Sequence, residues 1–120
     1  MKYFQLSLLS LIVLVSSANA QQKAVGKAVI STPTVQCEMC KATIEKYVLR
    51  QYGVSSVKVD HKKKTTAVTW LTDRTNIENI KAAIATAGYD ADDVTAEEAS
   101  YNKLPKCCKK PSAPAKENSN

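Results

Sequence analysis

Two pairs of cysteines are the residues of this 120-residue chain best suited to chemistry: Cys37 with Cys40, and Cys107 with Cys108. The two residues between Cys37 and Cys40 allow both sulfurs to converge on one point. Thiolates are soft donors that suit Cu(I) and similar ions. Two sulfurs alone fit a two-coordinate ion, Cu(I) first and Hg(II) second. Zn(II) fits less well because it usually takes four ligands.

The Cys-x-x-Cys motif has two other interpretations, which the residues leave open. Thiol-disulfide redox proteins carry the same pair at a helix start, and a small exported protein can use it as a disulfide staple. Glu38 and Met39 fill the motif, without the Trp or Pro common in thioredoxins. Met39 is expected on the solvent side or as a shield over the sulfurs rather than as a third ligand.

The second pair, Cys107 and Cys108, lies among Lys106, Lys109 and Lys110, whose positive charge favours thiolate. These cysteines are candidates for auxiliary metal ligands. They could also form disulfides with Cys37 and Cys40, or bridge two molecules in a weak metal-linked dimer.

The remaining composition excludes other function classes. No Ser/His/Asp set, catalytic carboxylate pair or Gly-rich phosphate loop stands out, so no enzyme is predicted, and the single histidine, His61, lies in a lysine-rich turn. The formal net charge of +6 comes mostly from residues 101–120, which hold five lysines and one glutamate. Nucleic-acid binding is therefore not expected, because it needs basic groups clustered on a folded face.

The N-terminus is typical of a removable export signal. Lys2 precedes an apolar run over residues 6–15, and Ala18 and Ala20 form a small-x-small cleavage site. The run is too short for a membrane span, which needs roughly twenty residues. We expect residues 1–20 to be removed and the mature protein to be periplasmic or secreted, without a membrane span.

The rest of the chain predicts alternating strands and helices. A polar lead over 21–26 precedes one domain over 27–100. Its predicted elements are strands over 27–35, 54–60, 65–71 and 92–96 and helices over 38–52 and 76–87. Thr75 and Glu78 predict a capping box for the second helix. Gly53 and Gly88 are expected to end the two helices.

The order strand-helix-strand-strand-helix-strand predicts an α+β, ferredoxin-like βαββαβ sandwich, with two helices on one face of an antiparallel sheet. Residues 101–120 are basic and contain prolines, so we expect a disordered tail that carries Cys107 and Cys108 on a mobile arm. Truncation after Leu104 is expected to leave the fold nearly unchanged.

Three segments resemble the heavy-metal-associated domain family, which includes copper chaperones and the periplasmic mercury-binding protein. They are residues 34–40 (TVQCEMC), 53–60 (GVSSVKVD) and 82–89 (AAIATAGY). The resemblance implies that Cys37 and Cys40 are the metal ligands and that Tyr89 lies beside the metal loop. It also implies a metal-transporting membrane protein or another metal-binding domain as partner. The family loop usually carries Gly where this chain has Thr34, which puts metal choice and exchange rate in question.

Overall fold

A computed structural model of the protein describes residues 24–109; the predicted export signal, residues 21–23 of the lead, and residues 110–120 of the tail lie outside the described residues. The elements are β1 (Val25–Ser31), α1 (Glu38–Leu49), β2 (Val54–Asp60), β3 (Thr65–Leu71), α2 (Ile77–Thr86), α3 (Glu98–Asn102) and a 3-10 turn (Lys106–Cys108). Within 24–109, no helix is long and apolar enough to cross a membrane.

The three strands form one antiparallel sheet in the order β1-β3-β2, with β3 in the centre. Thr66, Val68 and Trp70 of β3 are buried in alternation, as the two-residue period of a strand predicts. Gly26 pairs with Trp70 across β1 and β3, and a Cβ at Gly26 would clash with the indole ring. The inward side chains of the central strand therefore form the sheet side of the hydrophobic core.

Both main helices lie on one face of this sheet. Ile44 and Val48 of α1 and Ile80 and Ile84 of α2 are almost completely buried and join the same core as the inward residues of the strands. These positions repeat at helical spacing, so each helix presents one apolar stripe to the sheet. The predicted ferredoxin-like sandwich is confirmed.

Strand β1 is displaced from its predicted position. It covers Val25–Ser31 rather than 27–35, and so includes the end of the predicted lead. The chain leaves the sheet before Pro33, consistent with a residue that has no backbone N–H for a ladder hydrogen bond. The residues between Ser31 and α1 are consequently free to form a loop.

The helices end close to the predicted glycines. Helix α1 stops at Leu49, earlier than predicted, and α2 stops at Thr86. Gly53 and Gly88 then adopt φ of 84° and 105°, a left-handed conformation that glycine reaches without strain. Each glycine thus turns the chain back towards the sheet.

The predicted capping box of α2 is wrong. Asn76 is the N-cap, and its side chain accepts a hydrogen bond from the Asn79 backbone N–H at 2.9 Å. Asparagine is at least as good an N-cap as threonine. The helix therefore starts one residue later than a box built on Thr75 and Glu78 would place it.

The predicted fourth strand is reduced to a single bridge between Ala91 and Val94. Asp92, between them, has φ of 51°, which interrupts an extended strand. Its backbone N–H donates to the Ser31 carbonyl at 2.8 Å, and its carboxylate accepts from the Ser31 N–H at 2.7 Å. The segment is attached to the end of β1 through this one residue rather than through a ladder.

Residues 101–109 differ from the disordered arm that their composition predicts. They contain the end of α3 and the 3-10 turn, and Cys108 is fully buried in the core. Leu104 packs against that core, close to Gly88. The composition of the segment is polar, but these two apolar side chains pack it against the domain.

Candidate metal centre

The loop between β1 and α1 places the two motif cysteines at a helix start. Cys37 is the N-cap of α1, and Cys40 lies in its first turn and is fully buried. Their sulfurs are 3.2 Å apart. Two cysteine sulfurs are thus brought together at the end of the helix where backbone N–H groups are unpaired and favour negative charge.

The loop is supported from below by apolar and hydroxyl side chains. Val35 is fully buried, as expected for a residue that packs under the loop. Thr34 is also buried, and its hydroxyl accepts a hydrogen bond from the Asp90 backbone N–H at 3.1 Å. Within residues 24–109, positive φ among non-glycine residues occurs at Lys64 and Asp92, so Thr34 has a backbone conformation that needs no glycine.

The second cysteine pair meets the first. Cys108 forms a disulfide with Cys40, with 5.6 Å between their Cα atoms. The Cys108 sulfur also lies 3.9 Å from the sulfur of Cys37. The three sulfurs are all within 4.8 Å of one another, and this group is a candidate for holding one metal ion.

Cys107 occupies the outer side of the same cluster. Its thiol is free and exposed, 3.9 Å from the Met39 sulfur and 3.9 Å from the Cys108 sulfur. Met39 is itself 55% exposed, in agreement with its predicted place on the solvent side. Of the two adjacent cysteines, Cys108 is thus buried in the core and Cys107 is exposed to solvent.

The two free thiols differ in acidity. The backbone amide of Cys40 lowers the pKa of Cys37 more strongly than partial burial raises it, and Cys107 and the amide of Met39 act in the same direction as Cys40. The pKa of Cys107 is raised, chiefly because its thiol faces the Cys37 sulfur and this interaction favours the protonated form. Cys37 is thus the thiol more disposed to ionise in the metal-free chain.

Tyr89, which the family resemblance predicts beside the metal loop, belongs to the same buried core as Cys40 and Cys108. It is fully buried, and its hydroxyl has no hydrogen-bond partner among the described residues. Burial raises the pKa of Tyr89 to about 12, with part of the increase due to Cys37 and Cys107. The hydroxyl of the nearby Thr43 lowers the pKa of Tyr89 in part. That hydroxyl donates to the Met39 carbonyl at 2.9 Å and makes no hydrogen bond with Tyr89.

Two residues of the β2–β3 turn reach the metal loop, which the sequence analysis did not anticipate. His61 Nδ1 is 3.5 Å from the Glu38 carboxylate. Lys64 Nζ donates to the Val35 carbonyl and lies 3.5 Å from Gln36 Oε1. The pairing of β1 with β3 brings the start of β3 beside the end of β1. The strand order therefore explains why the β2–β3 turn contacts the metal loop.

Comparison with known proteins supports a metal-handling site. The heavy-metal-associated domain family matches residues 29–90. The chain is 35% identical to the mercuric transport protein periplasmic component of Shewanella putrefaciens, over 70% of this chain and 90% of that protein. It is 32% identical to the copper chaperone CopZ of Staphylococcus haemolyticus, over 52% of this chain and 91% of that protein.

The fold has a counterpart among solved structures. Oxidized MerP from Ralstonia metallidurans CH34 superimposes with a TM-score of 0.55 and 29% identity, covering 57% of this chain and 96% of MerP. The family match includes Cys37 and Cys40 and ends before Cys107 and Cys108. The second pair is therefore additional to the matched domain.

Proposed function

The chain belongs to the heavy-metal-associated domain family, and we propose that it is an exported carrier of a soft metal ion of the class of Cu(I) and Hg(II). Cys37 and Cys40 are the primary ligands in this proposal. The observation that carries it is the 3.2 Å approach of their sulfurs at the start of α1. The relatives named for mercuric transport and for copper add support for a thiolate-binding ion.

Transfer of the ion would proceed by exchange of sulfur ligands. Cys37 is partly exposed, so a thiolate of the partner can approach the ion from solvent before a carrier thiolate leaves. The partner is a metal-transporting membrane protein or another metal-binding domain. The ion remains bound to sulfur throughout, and no bond to carbon or oxygen is made or broken.

Export rests on the N-terminal sequence and on the periplasmic relative. An oxidising compartment converts vicinal thiols into disulfides that bind no metal. The carrier would therefore need to be loaded while reduced, or be reduced by a dithiol protein before loading.

A thiol-disulfide redox protein is the second candidate, because a disulfide and a free thiol lie side by side. Cys37 is 3.2 Å from the Cys40 half of the Cys40–Cys108 disulfide, close enough for thiol-disulfide exchange after small motions. Catalytic reduction of insulin disulfides would support this candidate. A carrier takes up metal stoichiometrically and shows no such turnover.

The test of the carrier proposal is a Cu(I) titration of the reduced full chain against a chromophoric Cu(I) chelator, without oxygen. C37S/C40S is expected to lose the tight site, while C107S, the matched control, retains it. Circular dichroism checks that both variants keep the fold. Undiminished Cu(I) affinity in C37S/C40S would refute the assignment.

A further inference from the structure

We propose that Cys108 is a third sulfur ligand of the metal site, and that the Cys40–Cys108 disulfide is the oxidised, metal-free form of that site. This inference rests on the proposed function, since it adds a ligand to Cys37 and Cys40. The family match ends at residue 90, so the third sulfur is a feature of the C-terminal segment of this chain.

The distances suit three-coordinate binding after reduction. Three sulfurs at about 2.3 Å from one ion in a trigonal plane are about 4.0 Å from one another. The Cys37 and Cys108 sulfurs already lie 3.9 Å apart, and the Cys37 and Cys40 sulfurs 3.2 Å apart. Only the bonded pair, Cys40 and Cys108, has to separate substantially, which side-chain rotation can supply once the disulfide is reduced.

Contacts other than the disulfide also hold the C-terminal segment on the domain. The Glu97 N–H donates to the Ala85 carbonyl at 2.9 Å, which fixes the start of α3 on the end of α2. Leu104 packs against the core, and the Cys108 N–H donates to the Pro105 carbonyl at 2.9 Å. Reduction therefore leaves the thiol of Cys108 in the core beside Cys40.

Cys108 rather than Cys107 fits the role of third ligand. Cys108 is fully buried and its sulfur belongs to the group that lies within 4.8 Å, whereas Cys107 is exposed and its sulfur lies outside that group. Ligation by three thiolates leaves a negative site around Cu(I) or Hg(II). Lys106 and Lys109 flank the cysteine pair in the sequence, and their positive charge would reduce the cost of that negative charge.

The chemistry of opening the site balances with a dithiol reductant. One thiolate of the reductant attacks a sulfur of the Cys40–Cys108 bond and displaces the other as a thiolate. The second thiol of the reductant then releases the mixed disulfide. The reductant leaves as a disulfide, the chain gains two electrons and two protons, and three thiols release their protons as the ion binds.

The test is X-ray absorption at the mercury edge, on the reduced full chain with one equivalent of Hg(II) at mildly alkaline pH. Wild type and the matched control C107S are expected to show three sulfurs around mercury, and C108S two. Charge-transfer absorption from thiolate to mercury should move to higher energy in C108S but not in C107S. Circular dichroism again checks the fold, and C107S/C108S tests whether Cys107 replaces the missing ligand.

The inference would be overturned if mercury had two sulfur ligands in wild type, or three in C108S. The second outcome includes the case in which the number falls to two only in C107S/C108S, because Cys107 would then serve as well as Cys108. Neither result affects the carrier proposal, which is tested separately by the loss of soft-metal binding in C37S/C40S. Wild type loaded with Hg(II) should also resist re-formation of the Cys40–Cys108 disulfide in air. Re-formation at the metal-free rate would contradict the claim that one site serves both states.

Discussion

Cys40, in the first turn of α1, is bonded to Cys108, which lies 68 residues further along the chain. This disulfide joins the metal loop to a C-terminal segment whose composition predicted disorder. Cys40, the more deeply buried of the two motif cysteines, is thus disulfide-bonded in the oxidised chain. Cys37 remains as the free thiol of the pair.

The oxidised chain is expected to contain one disulfide, Cys40–Cys108, and two free thiols, at Cys37 and Cys107. The measurement is peptide mapping by mass spectrometry after alkylation of the free thiols at low pH, which limits exchange. Because Cys37 lies 3.2 Å from Cys40, exchange without acid quenching should add a Cys37–Cys40 isomer. A quenched sample dominated by that isomer would contradict the structure.

Loss of Cys108 should destabilise the oxidised protein. A disulfide that closes a loop of this length contributes about 4 kcal/mol on a chain-entropy argument. In urea unfolding, C108S should lose a free energy of unfolding of that order, and truncation after Leu104 should lose at least as much. The matched control C107S should stay close to wild type, because its side chain is exposed. Equal stability of C108S and C107S without reductant would show that the disulfide does not form.

The alkylation rates of the two free thiols, Cys37 and Cys107, should depend differently on pH. In the metal-free, oxidised chain, the pKa of Cys37 is lowered and that of Cys107 is raised. The iodoacetamide reaction of Cys37 should therefore reach half of its maximal rate at a lower pH than that of Cys107. In urea this order of the two midpoints should be lost, since the fold causes it.

The same shift in Cys37 has a consequence for stability. Because its pKa is lower in the folded than in the unfolded chain, ionisation of Cys37 favours the folded state. That contribution is fully present above the unfolded pKa and is lost as pH falls through the folded pKa. Coincident alkylation midpoints in the folded chain would contradict both expectations.

Removing the hydroxyl of Tyr89 should stabilise the metal-free protein. This hydroxyl is buried without a hydrogen-bond partner among the described residues, which costs about 1 kcal/mol or more. Y89F keeps the ring in the core and should raise the free energy of unfolding by about that amount. Y52F is the control, because Tyr52 is 73% exposed. If Y89F is less stable than Y52F, the hydroxyl has a partner.

The sandwich was predictable because its signals are local. The strand over 54–60 and the strand over 65–71 have the predicted bounds, since alternation and the charged turn between them define both ends. The strand over 92–96 did not form, because the left-handed backbone of Asp92 breaks it. The valine and alanine of that segment favour a strand. The left-handed conformation of Asp92 accompanies its hydrogen bonds with Ser31, which the local sequence does not indicate.

Of the sulfurs in the candidate site, the sequence predicted the approach of Cys37 and Cys40 but not the position of Cys108. The spacing of Cys37 and Cys40 and the predicted helix start were sufficient to bring those sulfurs together. The position of Cys108 depends on Leu104 docking near Gly88, a long-range contact between single apolar residues that periodicity cannot reveal. His61 was likewise predicted as a solvated turn residue, and its contact with Glu38 follows from strand pairing rather than from sequence distance.

The most direct test of metal carriage is native mass spectrometry of the reduced full chain with equimolar Cu(I), Hg(II) and Zn(II). We predict one soft ion per chain, Cu(I) or Hg(II), with Zn(II) displaced, and no soft ion on C37S/C40S at the same concentrations. Preferential retention of Zn(II), or equal loading of wild type and C37S/C40S, would contradict the account.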